Sequence, residues 1–267
     1  MAETYWNSSG SEVFNSAANW TAGVPGVGDT MIFDGRSQVS VAGVDWSGGG
    51  DLAKIRVHPE YGGNIGSEGN PLIFVIAATG PVDYRGTGQA YLQLANADLP
   101  YVSVNTTRPL GSNALHWTGN NPRSLDVLNG QVLLNAASGA AGPISLAVTG
   151  GFVRIGAENK TTGWLTLYDG EIVIEANVTG IYIDGGRLTD RGTTGTAIVV
   201  SGGQYIATDD PTTGSYAYVT GGVFDITRCT SAYSMAHLSV YPGADFRHNP
   251  ESLAAITVLR DLRSDYP

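Results

Sequence analysis

A short pattern, repeated through the second half of the chain, constrains the fold more than any other feature. From about residue 125 it reads apolar-x-apolar-x-x-Gly-x-apolar-x-apolar, seven times over. Leu125 and Val127 precede Gly130, Leu146 and Val148 precede Gly151, and Leu165 and Leu167 precede Gly170. Ile181 and Ile183 then precede Gly186, and Ile198 and Val200 precede Gly203. Ala217 and Val219 precede Gly222, and Leu238 and Val240 precede Gly243. Successive glycines lie 21, 19, 16, 17, 19 and 21 residues apart.

Alternate residues of a strand face the same side, so each apolar pair marks an inward face. The residue before the glycine is Asn129, Gly150, Asp169, Gly185, Gly202, Gly221 or Pro242. Such dipeptides accept positive φ and suit a sharp corner. Past the corner the inward pair resumes, as in Val132 and Leu134, Val153 and Ile155, Ile172 and Ile174, and Phe224 and Ile226. A unit of this length is too short for a propeller blade of ~40 residues. It is also too short for a strand-helix-strand unit of ~30. The pattern predicts an all-β chain, a right-handed parallel β-helix with coils of 16–21 residues. Because Asn-Gly turns also close antiparallel hairpins, a β-sandwich is the alternative.

The pattern breaks after Gly243, where Asp245 and Arg247 occupy the expected inward positions. Asn249-Pro250-Glu251 then reads as a helix start, with Asn as N-cap and Pro in the first turn. Leu253, Ile256, Leu259 and Leu262 follow at a spacing of three, so a short amphipathic helix is expected to cap the core. One more strand, Ala255 to Leu259, is the rival reading. The expected organisation is a regular β-helix over 125–248, a cap over 249–267, and a β-rich but irregular region over 1–124. That first region would hold the first coils and a capsid-docking segment. Its expected strands are Thr30–Phe33, Gln38–Val41, Leu52–Val57, Leu72–Ile76, Tyr91–Leu94 and Tyr101–Val104.

Composition narrows the function. Only 14 % of the residues are charged, the net charge is −10, and Lys54 and Lys160 are the only lysines. No basic footprint for nucleic acid or an anionic membrane is present. Cys229 is the only cysteine, so neither an internal disulfide nor a cysteine-based zinc site can form. The expectation is a buried apolar role for it. The start of the chain lacks a charged-then-apolar leader, which suggests assembly inside the producing cell.

The opening carries a resemblance. Trp6, Phe14, Asn19-Trp20, Val24-Pro25, Gly28-Asp29-Thr30 and Phe33-Asp34 form a W…F…NW…VP..GDT..F pattern. It continues through Asp45, Leu52, Ile55, Val57, Tyr61-Gly62-Gly63 and Ile65-Gly66. This resembles the opening of β-helical proteins encoded by bacteriophages and prophages, many of them virion components. A similar opening occurs in some large bacterial surface repeat proteins. The resemblance covers about 65 residues and implies an architecture and a phage origin, not an activity.

Chemistry-bearing motifs are sparse. His58, His116, His237 and His248 form no metal-binding spacing, and no metal or cofactor is expected. A polysaccharide-cleaving β-helix needs carboxylates converging on one face. The row one residue after each corner (Gln131, Phe152, Glu171, Arg187, Gln204, Val223 and Ala244) holds a single acid. Asp169, Glu171, Asp184 and Asp190 are groove candidates, with Asp169 and Asp184 also explained as turn residues. Asp209-Asp210-Pro211 with Thr212, Thr213 and Gly214 is read as a polar loop rather than a calcium site. Tyr182, Tyr216, Tyr218 and Tyr241 fall at outward or turn positions and suit an interface or a sugar platform.

The leading expectation is a non-enzymatic virion protein that decorates or cements a phage capsid as a homotrimer, assembled in the host cytoplasm. Its partners would be the major capsid protein and further copies of itself. Trp6, Phe14, Trp20, Tyr182, Tyr218 and Tyr241 are the expected interface residues. The alternatives are a tail fibre or tailspike module binding or cleaving host surface glycans, and a bacterial surface adhesin.

Overall fold

A computed structural model describes the chain except residues 1, 78–79, 96–99, 108–113, 121, 136–144, 157–161, 209–211, 214–215, 231, 255 and 264–267. The protein is an all-β parallel solenoid of about ten turns. No helix among the described residues is long and apolar enough to cross a membrane. The chain divides into two compact units, Met1–Ala141 and Gly142–Pro267.

In the C-terminal unit, sheet I stacks Ser145–Val148, Thr162–Leu167, Asn177–Ile183, Thr193–Val200, Tyr216–Val219, Met235–Val240 and Ile256–Asp261. Sheet II stacks Phe152–Ile155, Glu171–Ile174, Arg187–Asp190, Gln204–Ala207, Val223–Asp225 and Asp245–Arg247. Each described pairing is parallel. The predicted corners are where the chain passes from sheet I to sheet II. Gly151, Gly170, Gly186, Gly203, Gly222 and Gly243 all have positive φ, between 61° and 90°, and Gly130 in the N-terminal unit has φ 111°. The apolar pairs before every corner are at most 1 % exposed. Burying each such side chain contributes ~1.5–3 kcal/mol, and that sum holds the coils together.

Two expectations at the C-terminal end are corrected. The pattern does not stop at Gly243: Phe246, not Asp245 or Arg247, points inward and pairs in register with Phe224. The corner is one residue longer there. Tyr241-Pro242-Gly243-Ala244 forms a β-turn closed by Ala244 N–H on Tyr241 O at 3.2 Å, with Gly243 at φ 90°. The expected capping helix is only Pro250–Ala254. Its start is as read: Asn249 Oδ1 accepts from Ser252 N–H at 2.8 Å, and Asn249 N–H donates to Ser252 Oγ at 3.0 Å. The chain then turns into the strand Ile256–Asp261, parallel to Met235–Val240. A free strand edge offers a whole ladder of hydrogen bonds, which outweighs a weak spacing-of-three pattern.

The N-terminal unit is also built of parallel coils. Sheet I runs Glu3–Tyr5, Thr30–Phe33, Lys54–Val57, Pro81–Tyr84, Tyr101–Asn105 and Ser124–Asn129. Sheet II runs Leu72–Phe74, Ala90–Leu94, Leu115–Gly119 and Gln131–Leu134. The expected strand Gln38–Val41 is reduced to an isolated bridge from Val41 to Ile65. The opening aromatics close the first coils. Trp6 and Trp20 meet edge to face at 5.1 Å, Phe14 packs on Trp20 at 5.2 Å, and Trp20 packs on Phe33 at 5.7 Å. Their indole N–H groups donate to Val39 O and Phe14 O.

Candidate functional site

Pairing register turns residues about twenty positions apart into neighbours. On sheet I of the C-terminal unit the inward rows are Leu165, Ile181, Ile198, Ala217 and Leu238, and Leu167, Ile183, Val200, Val219 and Val240. The outward row beside the first is Trp164, Gly180, Ala197, Tyr216, His237 and Val258. The outward row between the two is Thr166, Tyr182, Val199, Tyr218, Ser239 and Arg260.

These rows gather large rings. Trp164 is 47 % exposed, Tyr216 45 % and Tyr218 41 %, and Tyr168, at the corner just past Leu167, is 50 % exposed. The Trp164 indole lies over Gly180, where a Cβ would stand 2.5 Å from Cζ3. Any side chain at residue 180 would lift the ring off the sheet. Tyr216 stacks on His237 at 5.1 Å with planes 9° apart, and Tyr218 lies parallel to Tyr216 at 6.4 Å. Together with Tyr241, Val258 and Arg260 these side chains line a shallow cleft of about 260 Å³. Tyr182 is half-buried, with Oη 3.2 Å from Ser201 Oγ, which is itself 2.9 Å from Asp184 Oδ1. The face is thus apolar in body and polar at its hydroxyl tips, the composition of a binding surface.

The expected interface residues therefore separate. Tyr218 is exposed on this face, and Tyr182 and Tyr241 are half-buried on or beside it. Trp6, Phe14 and Trp20 are 0 %, 2 % and 4 % exposed, so their proposed docking role is corrected. They close the core of the first coils, and large apolar rings gain more from that burial than from display. Trp164 and Tyr168 escaped the sequence reading. Trp164, Tyr216 and His237 all stand six residues before a corner glycine, so the signal was present in the repeat.

Two of the groove carboxylates, Glu171 and Asp190, do not converge. Glu171 is on the outer side of sheet II, in register with Arg187. Asp190 is fully buried on the inner side, where it accepts hydrogen bonds from Tyr205 Oη at 2.8 Å and Gly192 N–H at 3.0 Å. A sheet lies between them, so they cannot flank one glycosidic bond. Burial, then the Asp190 charge, push the Tyr205 phenol well above its usual range, which keeps it a donor. Asp169 and Asp184 sit at corners, Asp169 Oδ1 accepting from Gly170 N–H at 2.7 Å. In the row one after the corner, register replaces Ala244 by Asp245. Cys229 is buried. Residues 209–211 and 214 of the polar loop lie outside the described residues, among which no cluster of three or more potential metal ligands occurs.

The chain matches no protein-family model, no curated protein and no solved structure.

Proposed function

We propose that the chain is a non-enzymatic structural protein of a bacteriophage virion, which decorates or cements the capsid by docking the aromatic outer face of its C-terminal unit. One observation supports this most: Trp164, Tyr216 and Tyr218 stay 41–47 % exposed on a single sheet face, with Tyr168 50 % exposed at the corner beside it. Exposed strand positions need only small or β-branched residues, as Thr166 and Val199 show in the same rows. Rings kept in water on one face suit a partner better than they suit the fold. The strands beneath them are ladder-bonded on both sides, so little ordering cost attaches to binding. The partner is the major capsid protein, with two further copies of the chain completing a trimer about a threefold axis. Binding only the assembled shell would stabilise that shell by mass action.

The test uses purified protein and capsids lacking it. Wild-type chain is expected to co-sediment with the capsids and to run as a trimer alone or on the shell. W164A and Y216A should each weaken co-sedimentation about 30-fold, the effect of losing a ~2 kcal/mol anchor. Their unfolding midpoints should stay near wild type. Failure of the wild-type chain to bind capsids refutes the reading.

A further inference from the structure

Sheet II of the N-terminal unit carries a cleft of about 370 Å³ on its outer side. Its floor is laid by outward positions of neighbouring coils. Tyr91 is in register with His116, and Gln93 with Thr118, while Asn135 extends the floor into the next coil. One wall is an excursion of the chain over residues 66–71. Ser67 and Asn70 pin it by exchanging both backbone hydrogen bonds at 3.0 Å, and Gly69 turns it at φ 78°. Glu68 stands at its tip.

Three features define what this cleft can hold. First, Tyr91 and His116 stack at 4.1 Å with planes 19° apart, giving a stiff ring surface that needs no ordering. Second, the amides of Gln93 and Asn135 and the Tyr91 hydroxyl bond no protein group among the described residues. Each planar amide offers a donor and an acceptor side by side. Third, Glu68 is the only fully charged side chain among the described residues of the lining. Burial holds the His116 pKa below its ordinary value, against the pull of Glu68, so the imidazole is neutral near pH 7.

We propose that this cleft binds an uncharged, hydroxyl-rich sugar ring of a glycan. A pyranose has an apolar C–H face for the Tyr91–His116 surface and adjacent hydroxyls for the Gln93 and Asn135 amides. Among the described residues no cation lines the cleft and Glu68 does, so phosphate, sulfate and uronate groups are disfavoured. The volume sits at the lower end of the ~300–1,000 Å³ usual for small-ligand clefts, enough for a mono- or disaccharide. The site lies wholly within the N-terminal unit and does not rest on the capsid docking proposed above.

The experiment is an array of immobilised neutral oligosaccharides built on glucose, galactose, mannose and N-acetylhexosamines, with sialylated and sulfated ones beside them. The full chain is probed, and the free sugar of any positive spot is then titrated while the His116 and Trp117 ring signals are followed by NMR. Binding is expected to neutral probes, with His116 signals shifting on titration. Q93A and N135A should each lower affinity at least tenfold while keeping the wild-type unfolding midpoint, because both side chains are outward and bond nothing among the described residues. H116A tests the platform and should do the same. The proposal is overturned if no neutral probe binds, if acidic probes bind better, or if Q93A and N135A bind as well as wild type. The W164A variant should bind the same sugars unchanged, which separates this site from the docking face.

Discussion

Replacing one corner glycine by alanine tests whether the corners or only the inward pairs hold the solenoid. Gly203 has φ 61°, and a Cβ there would lie 2.5 Å from Gly185 C and 2.6 Å from the carbonyl oxygens of Gly185 and Gly186. All three atoms are backbone of the preceding coil, so no side chain can swing aside. Carbon contacts normally sit at ~3.5–4 Å, so the coils must separate locally by about 1 Å. The corner bonds on either side, Gln204 N–H to Gly186 O and Val223 N–H to Gly203 O, are both 2.9 Å. Stretching either by about 1 Å takes it past the ~3.2 Å limit and leaves a poorly paired group, costing ~1–3 kcal/mol. The left-handed backbone adds ~1–2 kcal/mol for any non-glycine residue. We expect G203A to lose about 3 kcal/mol. Gly243 is the control, because it has φ 90° but a Cβ there meets nothing within 4 Å. G243A keeps only the backbone strain, partly offset by the lower entropy of the unfolded chain, and should lose about 1 kcal/mol. Both residues lie in the C-terminal unit. Urea unfolding followed by far-UV circular dichroism measures the difference. Equal losses in the two variants would refute the claim that coil-to-coil contact, rather than backbone angle alone, demands glycine.

Other expectations follow from single contacts. Tyr205→Phe removes the donor 2.8 Å from buried Asp190 and should lower unfolding free energy by ~1–3 kcal/mol, measured in urea; no change would mean that Asp190 does not need this bond. Glu175→Gln breaks the ion pairs to Arg154 at 2.8 Å and Arg191 at 3.6 Å, yet both arginines are about half exposed, so the loss should stay below ~1 kcal/mol and vanish at high salt. His116 binds its proton less readily in the folded chain because burial disfavours the charge. Stability should be whole above its unfolded pKa of ~6.5 and fall as pH drops through that value toward the lower folded pKa. H116Q should remove that part of the slope in melting temperature against pH, and an unchanged slope would rule out His116 as its source.

The core of the solenoid was legible because it repeats. An inward pair and a corner glycine recur at a narrow spacing, and both have one physical cause, a strand that must turn sharply without exposing its apolar side. Legibility failed where the spacing changed. A single extra residue at Ala244 moved Phe246 into the inward row and made the last full corner look like a break. The C-terminal strand stood only as the rival reading, Ala255 to Leu259, because the spacing of Leu253, Ile256, Leu259 and Leu262 favours a helical face, and only the open edge of Met235–Val240 decides for the strand. The N-terminal coils lack a glycine at a constant offset. Their strands could be seen singly, as Thr30–Phe33 was, but not their order. Trp6, Phe14 and Trp20 were misplaced because an aromatic in an irregular segment carries no sign of which way it faces. The sugar cleft was invisible for a further reason. Tyr91, His116 and Asn135 are contributed by different coils, and the wall that makes them concave is an excursion outside the repeat.

That failure shows where function sits in a solenoid. Inward positions are bound to the fold: a change at Leu165 or Ile181 is felt through the core, so such residues are free to do little else. Outward positions are nearly free of the fold, and residues there about twenty apart in sequence stand one strand spacing apart in space, ~4.8 Å. Ring against ring in Tyr216 and His237, or in Tyr91 and His116, is therefore a relation between coils, set by register and not by any local motif. Glu171 and Asp190 cannot act as a pair on the same logic, since they differ by which side of sheet II they occupy. Rows of outward side chains are the unit in which this chain can recognise anything. Its two aromatic rows lie on different sheets in different units, one exposed and broad, the other narrow and lined by amides. A broad row suits a protein surface and a narrow one a small polar ring, so one solenoid can carry both without either site disturbing the core.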